Sequence, residues 1–164
     1  MSGRPEPPVG LEGWRFDSAG PEAIRSDLLQ TFPFEYARED AGQGGGVGRE
    51  VLLELRTDEF TSVCPWSGLP DFGRLRVVYV PQTRCLELKS FKFYLFSFRH
   101  VGIYYEHLVP RILEDLVTAC APNYLRVEGD FNDRGGIASR AHAEFRRPGW
   151  VPSGPLDLPP AARG

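Results

Sequence analysis

Cysteine is scarce in this chain, and its spacing is uninformative for pairing: Cys64, Cys85 and Cys120 are the only three in 164 residues, and no CxxC occurs. That pattern offers neither a disulfide framework nor a zinc-ligand spacing, and three reduced thiols in a cytoplasmic protein are the expectation. Histidine is as rare, with three copies. A zinc centre assembled from these six side chains finds no pair at ligand spacing, so no metal is expected. An excess of positive charge is also missing. Nineteen basic against 22 acidic residues give a formal net charge of −3, which argues against direct binding to a nucleic-acid backbone. No apolar run approaches the length of a membrane-spanning helix, and no leading apolar segment reads as a secretory signal. No internal repeat suggests a solenoid.

What is present fits one globular domain: 41% hydrophobic and 25% charged residues, with Pro and Gly concentrated toward the two ends. Residues 1–48 read as a mobile N-terminal segment with a Gly-rich linker, 49–147 as the folded domain, and 148–164 as a flexible Pro-rich tail. The tract AGQGGGVG at 41–48 misses the GxGxxG and GxxxxGK spacings and leads into a strand pattern, so it is a joint and not a phosphate cradle.

Within the domain, EVLLELRTDEF (50–60) and RLRVVYVP (74–81) read as strands. SFKFYLFSFRH (90–100) spaces Phe91, Leu95 and Phe98 as a helix capped by Ser90 or a neighbour, although its aromatics also suit a strand. In YYEHLVPRILEDLVTAC, residues Tyr105, Leu108, Val109, Ile112, Leu116 and Cys120 form one apolar helical face. Pro110 belongs in a first turn, so the regular helix is expected to begin near it. YLRVEGDFN and GIASRAHAEF alternate as two strands joined by a turn at DRGG. The order ββααββ predicts an α+β fold, one antiparallel sheet with both helices on a single face. Such a sheet has open edges, which predicts self-association.

Four groups of residues invite a chemical reading. The stretch VCPWSGLPDFG holds Cys64 and Asp71 on a proline-stiffened loop. An isolated cysteine is most simply a small buried hydrophobe, but a thiolate with a depressed pKa is a strong nucleophile and a carboxyl in an apolar site moves protons. The letters DFG there match a kinase magnesium loop in nothing else. Lys89 and Lys92, one turn apart near a helix start and preceded by Glu87, form either an anion site or a solvated basic face. Glu106, flanked by Tyr104 and Tyr105, either accepts paired hydrogen bonds from a guanine-like edge or serves the helix macrodipole. Arg134, in a glycine-containing turn, either clamps a phosphate or faces water.

Together, CPWSGLPDFG, ELKSFKFYLFSFR, YE before a helix and GDFNDRGGI after it resemble the NADPH-dependent 7-cyano-7-deazaguanine reductases, the nitrile reductases of queuosine biosynthesis. The resemblance runs from about Glu50 to Phe145. It implies a tunnelling fold whose sheets join into a barrel on homo-oligomerisation, commonly as pentameric rings pairing to a decamer with active sites at subunit interfaces. It implies Cys64 as nucleophile, Asp71 as proton donor, and Leu86, Glu87, Leu88, Tyr105 and Glu106 at the deazapurine substrate. It also implies Lys89, Ser90, Lys92 and Arg134 at the NADPH cofactor. Two positions depart from the family pattern: Phe93 stands where Leu or Tyr is usual, and Tyr105 where many members have histidine. A tyrosine retains a ring for packing but cannot become a cation.

Overall fold

The computed structural model describes residues 16–36 and 50–156. The Gly-rich joint at 41–48 and the outer parts of both proline-rich ends lie outside the described residues. Eight elements follow one another: β1 (Thr31–Pro33), β2 (Leu53–Val63), β3 (Pro70–Val80), β4 (Arg84–Leu86), α1 (Leu88–Phe96), α2 (Tyr105–Cys120), β5 (Tyr124–Arg134) and β6 (Ile137–Arg146). The main sheet is antiparallel in the order β2-β3-β5-β6, and β1 pairs with β4 in a separate two-stranded ribbon.

Strict alternation along the strands gives the sheet two unlike faces. Leu55, Val77, Val127 and Ala143 are register partners in one row, and Leu53, Tyr79 and Leu125 belong to the next. These residues meet Phe91, Tyr94 and Leu95 of α1 and Leu108, Ile112 and Leu116 of α2 in one core. The opposite rows carry charge. Arg76, 8% exposed, donates to Glu54 at 2.9 Å and Glu128 at 3.2 Å, and Arg126 is ion-paired with Glu128. Both helices therefore cover the apolar face, as the sequence pattern predicts.

The register of β2 against β3 shifts between Thr57 and Phe60. A bulge of this kind reverses the alternation beyond it. Phe60 and Ser62, both buried, consequently face the helices, and Ser62 stands directly across the ladder from Asp71.

Several boundaries differ from those read in the sequence. Asp71 is not in a loop but is the second residue of β3. The first helix begins at Leu88 with Glu87 as its cap, not Ser90: the Glu87 carboxylate accepts from the Lys89 and Ser90 N–H groups at 2.9 and 2.7 Å. A carboxylate satisfies two orphan donors and the helix dipole together, which a serine hydroxyl does not. The second helix begins at Tyr105 and contains Pro110 in its interior. Its missing N–H leaves the Glu106 carbonyl without a bond from four residues on, a cost outweighed by complete burial of Leu108, Val109 and Ile112.

Residues 16–36, part of the segment expected to be mobile, make defined backbone hydrogen bonds to the domain. Ala19 donates to the His100 carbonyl at 2.8 Å and accepts from Gly102 at 2.8 Å. Glu87 donates to the Gln30 carbonyl at 2.9 Å and Phe34 to that of Thr83 at 2.8 Å. At the other end, Trp150 stacks on Tyr124 and donates to Glu50 at 3.0 Å. The low-complexity composition concealed these anchors because each is a backbone bond or a single aromatic contact.

Candidate active site

Cys64 follows β2 directly, in the loop that turns the chain into β3. That loop is closed by Cys64 N–H donating to the Leu69 carbonyl at 2.9 Å and Gly68 N–H to the Cys64 carbonyl at 2.8 Å. Gly68 has φ +75°, and a Cβ there would strike the Phe16 carbonyl oxygen, so the position requires glycine. The Phe16 N–H in turn bonds the Ser67 carbonyl at 3.1 Å. The ordered N-terminal segment thus braces the loop that carries the thiol.

Burial of Cys64 by itself would push its ionisation upward. Hydrogen bonds from the Ser67 hydroxyl, the Ser67 and Trp66 backbone and the Arg134 side chain outweigh it, lowering the thiol from 9.0 to about 7. Donors aimed at the sulfur favour the thiolate. The fold thus favours the Cys64 thiolate relative to an ordinary cysteine.

Three other elements converge on this loop. Asp71, 4% exposed, is ion-paired with Arg134, which reaches it from the β5–β6 hairpin tip. Residues 101–103 extend the end of β2 as a parallel neighbour: Val63 donates to the Val101 carbonyl at 3.0 Å and Ile103 to that of Val63 at 3.2 Å. This pairing delivers the start of α2, with Tyr105 and Glu106, to the same end of the sheet. Tyr105 stacks on Phe131 at 3.7 Å with the rings 6° apart, and the Arg134 guanidinium lies over Tyr105 at 5.3 Å from the ring centre. Its phenol is raised by burial first and then by the charges of Cys64 and Glu106.

The remaining residues singled out in the sequence lie elsewhere. β3 carries the chain from Asp71 to Tyr79, about 26 Å along the strand, and the Leu86 N–H donates to the Tyr79 hydroxyl at 3.1 Å. Leu86, Glu87, Leu88, Lys89 and Ser90 are therefore at the opposite end of the sheet. Leu86 is in the core, and Ser90 is buried with its hydroxyl bonded to Gln30 and Glu87. The backbone N–H groups of Lys89 and Ser90 hold the Glu87 carboxylate below its usual range. Leu88 and Lys92, by contrast, open into a groove of about 410 Å³ between α1 and β2, with Arg56 and Arg99 beside them. Glu54 and Glu59 line it too, so its charge is mixed, with Lys92 and Arg99 the cations that suit a phosphate. Among the described residues, no group of three or more His, Cys, Asp and Glu could hold a metal ion.

Three contributors escaped the sequence reading. Ser67 supplies the strongest donor to Cys64, Phe131 supports Tyr105, and Ser62 places a fully buried hydroxyl opposite Asp71. Only Ser67 had a local signal, a Ser-Gly turn three residues beyond the thiol.

A profile of the family described as QueF-like protein matches residues 70–149. The NADPH-dependent 7-cyano-7-deazaguanine reductase of Caldicellulosiruptor bescii is 42% identical over 133 residues, which cover 81% of this chain and 94% of that protein. The protein of the same name from Syntrophus aciditrophicus is 40% identical over 144 residues, 88% of this chain and 94% of the relative. Among solved structures, the archaeosine synthase QueF-Like in its apo form matches with a TM-score of 0.52 and 31% identity, over 63% of this chain and 96% of the other.

Proposed function

Since the chain belongs to the NADPH-dependent 7-cyano-7-deazaguanine reductase family and is an oxidoreductase that reduces the nitrile of that base to an aminomethyl group in queuosine biosynthesis, we propose that Cys64 carries the reaction through a covalent thioimide. The observation that supports this reading above all others is the gathering of Cys64, Asp71, Arg134 and Tyr105 at one end of the sheet, with donors at the sulfur that favour its thiolate.

A nitrile carbon is electrophilic but a poor hydride acceptor, which makes covalent activation useful. The Cys64 thiolate forms a C–S bond to that carbon, one π pair moves to nitrogen, and Asp71 gives the nitrogen its proton. NADPH, when bound, supplies the hydrides, two for each nitrile. Between the two reductions the C–S bond breaks and the electron pair returns to Cys64. Glu106 accepts from the N–H edge of the deazapurine and Tyr105 packs on its plane, which points the nitrile at sulfur; orientation of this kind supplies much of such a rate enhancement. Lys89 and Lys92 hold the cofactor phosphates, with Arg134 an additional phosphate contact. Ser90, buried as it is, acts through the α1 start instead of touching the cofactor.

We further infer that the working enzyme is a homo-oligomer of tunnelling-fold subunits, pentameric rings pairing to a decamer, with residues 49–147 as the catalytic domain. The separation of Glu87 from Cys64 within one chain supports this: a site that uses both, and Leu86 and Leu88 with them, must draw on two subunits. β6, and β2 along all but its last residue where Gly102 bridges Val63, are also open edges of the main sheet among the described residues.

The test is mass spectrometry of the intact protein mixed with 7-cyano-7-deazaguanine in the absence of NADPH. The expected result is one added base per chain, mapped to Cys64 and absent from Cys64→Ala. A chain that turns over NADPH normally without Cys64 refutes the mechanism.

A further inference from the structure

The Arg134 guanidinium occupies a place that a substrate base would need. A ring stacked at 3.7 Å fills one face of Tyr105, so the guanidinium lying 5.3 Å from the same ring centre covers the other. It simultaneously holds Asp71, whose side chain is 3% exposed against 45% for that of Arg134. Arg134 precedes Gly135 and Gly136, at φ +56° and +79°, with no heavy atom within 4 Å of a Cβ built at either. The turn is thus open around its glycines, and the half-exposed Arg134 side chain has solvent on one side of it. Across the ladder from Asp71, the buried Ser62 hydroxyl has no hydrogen-bond partner among the described residues.

We propose that Arg134 is a displaceable stand-in for the base: a planar deazapurine stacking on Tyr105 takes its place, draws the guanidinium off Asp71, and thereby allows that buried carboxyl to take up the proton it later delivers. This rests on the reading of Asp71 as proton donor.

The chemistry requires some such exchange. A carboxylate paired with a guanidinium keeps its charge and has no proton to give. Once the cation leaves, a carboxyl out of contact with water favours its neutral form, and the proton comes from solvent. The orphan Ser62 hydroxyl is then positioned to partner it. The charged and titratable groups of the cluster are Arg134 from the β5–β6 turn, Cys64 from the β2–β3 loop, and Tyr105 and Glu106 from α2. Withdrawal of Arg134 does not cost Cys64 its reactivity, because the Ser67 and Trp66 donors contribute more to its ionisation. After proton delivery Asp71 is again a carboxylate, and Arg134 returns when the product leaves. Arg134 is in this sense a positioning residue, acting through Asp71.

The experiment is titration calorimetry of the intact protein with 7-deazaguanine, which has no nitrile and cannot react with Cys64, at pH 6 to 8 in two buffers of different ionisation heat. Wild type is expected to take up protons on binding, approaching one per site. Asp71→Asn is expected to take up none. Arg134→Gln is expected to take up none and to bind the base several-fold more tightly, since the face of Tyr105 is already clear. Equal proton uptake by wild type and Asp71→Asn, or weaker base binding by Arg134→Gln, overturns the proposal. The mass-spectrometric adduct separates the two levels: an adduct at Cys64 with no proton uptake defeats this inference alone, whereas no adduct defeats the reading beneath it.

Discussion

Cys64 and Cys120 are both buried, 8% and 0% exposed, yet the fold sends their thiols in opposite directions. Cys120, in the last turn of α2, donates to the Leu116 carbonyl at 3.2 Å, and its own backbone N–H is the one donor that lowers it, the smallest of the influences on it. An acceptor offers the anion nothing, and burial pushes Cys120 up to about 12, with nearby Cys85 adding to it. Cys85 is raised by burial as well. At the other end of the sheet, the Cys64 loop turns its donors toward the sulfur and lowers it to about 7. Exclusion from water is common to both thiols. The difference lies in whether N–H and O–H groups converge on the sulfur, and a tight loop aims several of them at one atom.

Removing the reactive member of the pair gives the largest contrast. Cys64→Ala is expected to lower nitrile reduction by on the order of 10³-fold or more, measured as NADPH oxidation, with little change in thermal midpoint. Asp71→Asn should follow closely, at ~10²-fold or more, with base binding retained in calorimetry. Undiminished turnover in either variant removes that residue from the mechanism.

The two faces of the sheet and the helix order were legible because each leaves a local mark, whereas Cys64, Asp71, Tyr105 and Arg134 could be named from their motifs but not brought together. Alternation in RLRVVYV and YLRVEGD fixes the faces, and the 105–120 apolar stripe fixes a helix. What was not legible depends on geometry at a distance. Nothing in VCPWSGLPDFG announces that Phe16 braces Gly68, or that the bulge after Thr57 turns Ser62 toward Asp71. Proximity along the chain misled in the opposite sense for LELKS. Its residues lie 15 to 19 positions beyond Asp71 in the sequence, but β3 carries the chain to the other end of the sheet before they occur. A strand separates its ends by more than any other element of the same length.

Ser67→Ala sharpens the comparison without removing the thiol. It deletes the largest of the donor contributions that lower Cys64, so the midpoint of iodoacetamide alkylation against pH should move from about 7 toward the ordinary thiol value of 9.0, with a several-fold slower reaction at neutral pH. The linkage has a defined sign. Because the fold favours the Cys64 thiolate, its contribution to stability is full above the ordinary thiol value and is lost as pH falls through about 7. The stability gap between wild type and Cys64→Ala should therefore widen in favour of wild type as pH rises between those limits. An alkylation midpoint unmoved by Ser67→Ala would assign the lowered ionisation to the backbone donors instead.

Cys120→Ala should have the smallest effect on chemistry. It empties a fully buried position in the core and is expected to cost about 1 kcal/mol of stability while leaving turnover and the alkylation profile of Cys64 unchanged. The sign of its pH linkage is opposite to that of Cys64: a thiol held neutral by the fold stabilises below its ordinary value, and that contribution is lost as pH climbs toward about 12. In the native protein iodoacetamide should label Cys64 alone, and Cys85 and Cys120 should react only after denaturation. Labelling of Cys120 in the folded state at a rate near that of Cys64 would mean that Cys120 is open to solvent and that the donor loop does not set the two thiols apart.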